Sequence, residues 1–269
     1  MTATRELYDL SGRTAVITGG AGFLGTKHAE AIAEMGGIPI LVDLVKDRVE
    51  AAADRLQGQF GVPACGLVAD ITRKDEVERA VDLAVARYGR LDILINNAGF
   101  TGKGQRPDQL FAPFEDYPLD LWQHALDVNL TGAFLVSQAV GRVMRAARRG
   151  VVVNIASDVG VISPDHRIYE GQPFNTPVAY ATTKAALINF TRYLATYWAP
   201  CGIRVNALSP AGVFDGHDPQ FVRRLTQLIP LGRMAHHDEY KGAIVFLVSD
   251  ASAFMTGANL IVDGGRTCW

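Results

Sequence analysis

The chain is poor in cysteine, in concentrated positive charge and in long apolar runs, and each scarcity excludes something. Its three cysteines, Cys65, Cys201 and Cys268, lie far apart and are odd in number. That argues for free thiols in a reducing compartment rather than a disulfide framework. Basic and acidic residues nearly cancel, 26 against 28, for a net charge of −2. The one dense basic stretch, GRVMRAARRG, reads as a helix C-terminus whose dipole favours cations, so no nucleic-acid partner is expected. No run reaches the ~18 apolar residues of a membrane span, and the opening MTATRELYDLSGR has no apolar signal core. No membrane partner is expected, and the expected location is the cytoplasm.

What is present is enough apolar material, 48% of 269 residues, for one domain with a full core. Short β-branched runs alternate with longer helical patterns. TAVIT, IPILVD, ACGLVAD, LDILINNAG, GVVVNIAS, IRVNALSP and NLIVDGG are the strands. Between them lie helical segments, among them Lys46 to Gln59, a long amphipathic stretch from about Leu119 to Arg148, and the helix opening at Val178. Seven apolar strands separated by helices predict an α/β fold with a parallel, doubly wound sheet in a single domain, residues 1–269. Two irregular zones, 100–118 and 159–177, hold six of the twelve prolines. Loops this long in a compact domain are usually functional.

Two motifs carry chemistry. In TAVITGGAGFLG, Gly20, Gly22 and Gly25 have the G-x-G-x-x-G spacing between a strand and a helix. Glycines there let the backbone approach a pyrophosphate at the helix N-terminus. Asp43 closes the next strand, where a carboxylate accepts hydrogen bonds from a ribose diol and repels a 2′-phosphate, which favours NAD over NADP. The second motif is VAYATTK, with Tyr180 and Lys184 one helical turn apart and so on one face. Alone, that pair would read as a solvated phenol and a solvated ammonium. Adjacent His236 and His237 in AHHDEY read as a helix cap, and no metal is expected.

Taken in order, the glycine loop, NNAG at Asn96–Gly99, VNLTG with Asn129, NIAS with Ser157, YATTK, SPAGV at Ser209–Val213 and VDGG at Val262–Gly265 resemble the short-chain dehydrogenase/reductase family over nearly the whole chain. The resemblance implies a Rossmann-type fold, hydride transfer with a nicotinamide cofactor, and a catalytic group of Asn129, Ser157, Tyr180 and Lys184. It implies cofactor contacts from Gly19, Gly22, Phe23, Leu24 and Gly25 in the loop, and from Asp43, Asp70 and Ile71. Further contacts are implied for Asn97, Ala98, Gly99, Tyr180, Lys184, Pro210, Gly212 and Val213. It also implies a homo-oligomer, a tetramer or a dimer, paired through the long helices. Two departures stand out. Phe23 takes the place of the usual middle glycine, which gives the loop the spacing of the family's extended branch of sugar-nucleotide epimerases and dehydratases. The chain after Trp198 is too short for that branch's substrate domain. SPAGVF also lacks a threonine that often contacts the carboxamide, which leaves that contact to backbone groups around Val213.

The Tyr–Lys turn then acquires a purpose. Lowering a phenol of ordinary pKa about 10 by three units requires roughly 4 kcal/mol. One positive charge at about 4.5 Å, in an effective dielectric near 20, supplies at most about 3.7 kcal/mol. On this expectation Lys184 and the cofactor's positive ring make Tyr180 a base. Twenty-three positions separate Ser157 from Tyr180, more than the family usually has, and this insertion joins residues 100–118 as an expected substrate rim. The polar members of the two zones are Lys103, Gln105, Arg106, Asp158, Asp165, His166, Arg167, Tyr169 and Glu170. They point to a polar, hydroxylated small-molecule substrate: a sugar, sugar acid or polyol derivative. The insertion and the VDGGRTCW ending resemble bacterial family members of sugar and surface-polysaccharide metabolism. The alternatives are an extended-type epimerase or dehydratase, and a nucleotide-binding protein without catalysis.

Overall fold

The computed structural model describes residues 3–102 and 107–269. Seven strands form one fully parallel sheet in the order β3-β2-β1-β4-β5-β6-β7. They are β1 Thr14–Thr18, β2 Ile38–Asp43, β3 Cys65–Val68, β4 Ile93–Asn96, β5 Gly150–Ile155, β6 Ile203–Pro210 and β7 Asn259–Val262. Each lies within a run read from the sequence. The helices are α1 Phe23–Glu34, α2 Lys46–Phe60, α3 Lys74–Tyr88, α4 Pro107–Leu110, α5 Leu119–Leu126, α6 Ala133–Ala147, α7 Val178–Trp198, α8 Pro219–Thr226 and α9 Lys241–Val248. The long amphipathic stretch is thus α5 and α6, joined without a break by a π-helical turn over Asp127–Gly132.

Alternation along the strands decides which helix covers which face. Ala15 and Ile17 of β1 face a core shared with α1, α2 and α9. Val16 faces the opposite core with α3, α6 and α7. Both faces are therefore covered, which is why the strands read as continuous apolar runs rather than as an alternating pattern. Strand order reverses between β1 and β4, and in open sheets of this kind ligands bind beyond the strand carboxyl ends at that point. The same end carries the glycine loop after β1, Asp43 at the end of β2, Asn97–Gly99 after β4 and Ser157 after β5.

Candidate active site

The loop between β1 and α1 folds tightly because its glycines have no side chains. Gly19 adopts φ +61°, and a Cβ at Gly25 would stand 2.0 Å from the Gly19 carbonyl oxygen. An alanine at 25 would push the loop off the helix. Gly22 precedes α1, and no side chain caps the first turn. The uncapped end fits a pyrophosphate, since free N–H groups and the helix dipole both favour an anion. Phe23 leaves that space by turning outward, 45% exposed, with its ring edge against His237 at 5.6 Å between centroids. Leu24 packs partly buried against the α1-side core.

Thr18 and Asn97 tie this loop to β4. The Thr18 hydroxyl accepts from the N–H groups of Asn97 (3.0 Å) and Ala98 (3.1 Å). The Asn97 amide donates to the Thr18 carbonyl at 2.9 Å and to that of Gly19 at 3.2 Å. Thr18 was not among the residues expected here, although it opens the glycine motif. Beneath the loop, His28 is 1% exposed and neither ring nitrogen has a hydrogen-bond partner. Burial pushes its imidazole down to about 4, against a smaller opposing influence from Asn97.

Asp43 does more than the sequence suggested. Its carboxylate accepts from the Ala21 N–H at 3.0 Å and the Leu44 N–H at 2.8 Å, so it braces the glycine loop. Arg48 donates to the Ala21 carbonyl at 3.0 Å and brings a cation to the same corner. Asp70 accepts from the N–H and hydroxyl of Thr72, at 2.9 and 2.7 Å, which makes it a turn-closing aspartate. Ile71 is buried in the second core. Pro210 ends β6. At Val213 a bridge to Ala235 uses the Gly212 carbonyl and the Phe214 N–H. Val213's own N–H and carbonyl therefore point out of the pair.

Four side chains meet at the ends of β4, β5 and α7. Lys184, 4% exposed, donates to the Ile155 carbonyl at 2.6 Å. Asn129 sits in the π-helical turn. Its amide brackets Phe100, accepting from that N–H at 2.5 Å and donating to that carbonyl at 3.2 Å, and also donates to Thr183 at 3.0 Å. Asn129 Oδ1 and Lys184 Nζ flank Gly99, each 3.6 Å from where a Cβ on that glycine would lie. Ser157, buried, donates to Asp158 Oδ1 at 2.9 Å. Tyr180 lines a small hollow with Phe100, Leu110, Tyr117, Ala125 and Pro177.

The electrostatics of the chain without cofactor show what the expectation for Tyr180 must overcome. Burial pushes its phenol up to about 12, the Ser157 hydroxyl pulling it down and the Asp158 carboxylate adding to the rise. The Lys184 ammonium lies 5.6 Å from the ring centroid and is turned to the Ile155 carbonyl. Burial also lowers Lys184 to about 8. One lysine at this distance does not overcome desolvation; a further positive charge beside the phenol is required.

The two rim zones meet through aromatic contacts. Phe111 lies 6.2 Å from Phe174, which packs on Tyr169 and on Phe221 of α8. Ile168, Phe221, Leu225, Ile229 and Met234 form a third, small core beneath them. Gln172 donates to Asp218 at 3.0 Å, and Arg224 donates to the Glu170 carbonyl. Arg167 is bound to Asp165 at 2.6 Å with its side chain 87% exposed, and His166 is exposed too. Lys103, Gln105 and Arg106 lie outside the described residues. Asp158 is buried and paired with Arg266, a residue with no expected role. His236 caps the turn His237–Tyr240 as expected. His236, His237 and Asp238 bring ligand atoms within 4.8 Å of one another, but the Asp238 carboxylate is 3.4 Å from Lys27 and 3.7 Å from Lys241.

Comparison with known proteins agrees with this geometry. A family model described as enoyl-(acyl carrier protein) reductase matches residues 20–267. The chain is 37% identical to a D-threitol dehydrogenase of Mycolicibacterium smegmatis, with 99% of each chain covered. It is 35% identical to an NAD-dependent glycerol dehydrogenase of Listeria innocua, covering 97% of this chain and 96% of that one. Among solved structures it is similar to a gluconate 5-dehydrogenase of Burkholderia cenocepacia in complex with NADP and tartrate. The TM-score is 0.88 at 33% identity, over 99% of this chain and all of that one.

Proposed function

The chain belongs to the short-chain dehydrogenase/reductase family and is an oxidoreductase of alcohol groups with a nicotinamide cofactor; from that premise we propose that it uses NAD(H) and acts on a polyol, sugar or sugar-acid secondary alcohol. The observation that carries the reading is the grouping of four side chains at the carboxyl end of the sheet, Asn129 and Lys184 flanking Gly99 and Tyr180 lying beside Lys184 and Ser157, at the same end as an uncapped glycine loop. Asp43 at the ribose corner supports NAD(H), and the polyol dehydrogenases among the relatives support the substrate class.

When bound, the oxidised nicotinamide ring supplies the hydride-accepting carbon and a positive charge. Gly19, Gly22, Phe23, Leu24 and Gly25 would hold the pyrophosphate, and Asp43 the adenosine ribose. Asp70 and Ile71 would border the adenine, Asn97–Gly99 the adenosine side of the cleft, and Pro210, Gly212 and Val213 the carboxamide. Lys184 reaches the nicotinamide ribose. Ser157 fixes the substrate oxygen, and Tyr180 takes the hydroxyl proton in oxidation or returns it in reduction. Asn129 holds Phe100 and the π-helical turn in place behind Lys184. Residues 100–118 and 159–177 form the substrate rim of a single domain.

Exposed Phe134 on α6 and stacked Tyr193 and Tyr197 on α7 support pairing of two copies through these helices, in a dimer or a tetramer. No helix among the described residues is long and apolar enough to cross a membrane, and we place the enzyme in the cytoplasm. The direct test is NADH formation over a panel of polyols, sugars, sugar acids and sugar nucleotides. Turnover confined to apolar alcohols such as steroids would overturn the substrate class. Sedimentation at micromolar concentration tests the assembly, and a monomer there would refute it.

A further inference from the structure

We infer that Arg266 is a positioning residue for Ser157, acting through the buried carboxylate of Asp158 and thereby making the last turn of the chain part of the proton-transfer machinery. The inference rests on the reading of Ser157 and Tyr180 given above. Asp158 divides its two oxygens. Oδ1 accepts from the Ser157 hydroxyl at 2.9 Å and the Val159 N–H at 2.8 Å. Oδ2 accepts from Arg266 Nη1 at 2.8 Å. Both charged side chains are almost wholly buried, 4% and 7% exposed, and Arg266 Nε has no partner.

Arg266 is aimed by its own turn. Asp263 accepts from the Gly265 N–H at 2.8 Å and the Thr267 N–H at 2.7 Å. Gly264 and Gly265 take φ +66° and +92°, in the left-handed region that side chains resist. A glycine-dependent, doubly capped turn that delivers a buried guanidinium to the residue after the serine needs a reason beyond closing the chain, because buried ion pairs are on average poor stabilisers.

Two consequences follow for the chemistry. The bond to Asp158 holds the Ser157 side chain in one position, from which its hydroxyl can turn to the phenol or the substrate oxygen. The Asp158 carboxylate also stands near Tyr180 and opposes its ionisation; Arg266 offsets that charge. Lys184 lies on the same helix as the phenol and Tyr117 in the adjoining hollow, while Tyr169 feels both Asp158 and Arg266 and Tyr240 feels Asp158. Arg266 is thus the cation on the Asp158 side of Tyr180, as Lys184 is on the helix side.

The test uses Arg266→Met, Arg266→Lys and the double variant Asp158→Asn/Arg266→Met in the full-length enzyme. Arg266→Met should cut kcat for alcohol oxidation about tenfold or more, leave NADH affinity near its original value, and move the alkaline ionisation of kcat upward by about one pH unit. In the double variant the asparagine oxygen still accepts from Ser157 and no lone carboxylate remains, so the ionisation should return. Arg266→Lys keeps the charge and should hold the ionisation while losing part of kcat; Arg266→Gln, which keeps a donor without the charge, should raise it as Arg266→Met does and serves if that variant does not fold. A second readout needs no substrate. Tyrosinate absorbance of each NAD⁺-bound variant, minus that of its Tyr180→Phe counterpart, reports the Tyr180 ionisation directly and should show the same order of shifts. Failure of every polyol to react would defeat the substrate reading yet leave this titration legible. A Tyr180 ionisation that stays in place when the charge at position 266 is removed alone, whatever the melting temperature of the variant, would overturn the inference and leave Arg266 a tether for the chain end.

Discussion

The two ends of the sheet hold polar groups in opposite ways. At the amino ends of the strands the charges are matched. Asp92 accepts from the Thr14 N–H at 3.0 Å and from Arg90 and Arg149, each at 2.6 Å. Arg13 meets Asp250 in a two-pronged pair, and Arg204 donates to the carbonyls of Leu247, Ser249 and Met255. At the carboxyl ends the groups are buried and mismatched. Tyr180 is pushed up to about 12, Lys184 lowered to about 8 and His28 to about 4, burial being the largest cause each time. One end is satisfied and contributes stability. The other holds groups whose ionisations burial has moved from their ordinary values, as at sites where bound charge moves them again. Substitutions at the two ends should therefore separate activity from stability.

The largest effect belongs to Tyr180→Phe. It removes the proton acceptor and keeps the ring, so kcat should fall by roughly 10³-fold while NAD⁺ binding stays nearly unchanged. Stopped-flow turnover and a fluorescence titration check the two halves. Near-normal kcat in a folded variant would return the Tyr–Lys turn to an ordinary helix face.

His28 gives the next effect, and it appears as acid sensitivity. Its folded pKa, about 4, lies below its ordinary value of 6.5. Between these values the unfolded chain binds the proton and the folded chain does not. Stability is therefore intact above about 6.5 and lost as pH falls toward 4, by ~3 kcal/mol in all. His28→Leu should flatten that limb in urea melts run across the range. An equally steep limb in the variant would place the acid sensitivity elsewhere.

How much of this was legible beforehand follows the same division. The strands could be read because each is apolar on both faces, and the glycine loop because a side chain at Gly25 would come within 2.0 Å of the Gly19 carbonyl oxygen. The four residues proposed as the catalytic group could be picked out as an ordered set. The balance of forces on Tyr180 was not, since burial outweighs Lys184 and burial is a property of packing. Arg266 and Asp158 lie 108 positions apart, and nothing local in VDGGRTCW signals that pair. Arg167 was expected at the substrate rim as a polar member of the insertion, and its pairing with Asp165 two residues away was not foreseen.

At the amino end, Asp92→Asn keeps the shape and removes the charge that two arginines share. Stability should fall by about 2 kcal/mol, the scale of a buried charged hydrogen-bond network losing one member. Because the site lies at the other end of the strands, kcat per folded enzyme should not move. Equilibrium urea unfolding and a turnover assay on the same preparation decide it. A loss of kcat without loss of stability would mean that the two ends are coupled through β1 and β4.

The smallest expected effect tests where the satisfied and the ligand-ready characters meet, at Asp43. This carboxylate braces Ala21 and is proposed to hold the adenosine ribose, with the Arg48 guanidinium close by on the Ala21 carbonyl. A 2′-phosphate there would meet one anion and one cation. While Asp43 is present its charge disfavours the phosphate, so NAD⁺ should bind better than NADP⁺ in calorimetric titration. Asp43→Ser removes the repulsion and leaves Arg48 as the local charge. The preference should then narrow by about tenfold, which corresponds to ~1.4 kcal/mol. Most of that change should appear as tighter NADP⁺ binding, with some loss for NAD⁺ as the ribose bonds go. Adding Arg48→Ala to Asp43→Ser should weaken NADP⁺ again and leave NAD⁺ nearly unaffected. If Asp43→Ser instead weakens both cofactors equally, Asp43 acts only by bracing the glycine loop, and the corner belongs with the satisfied end of the molecule.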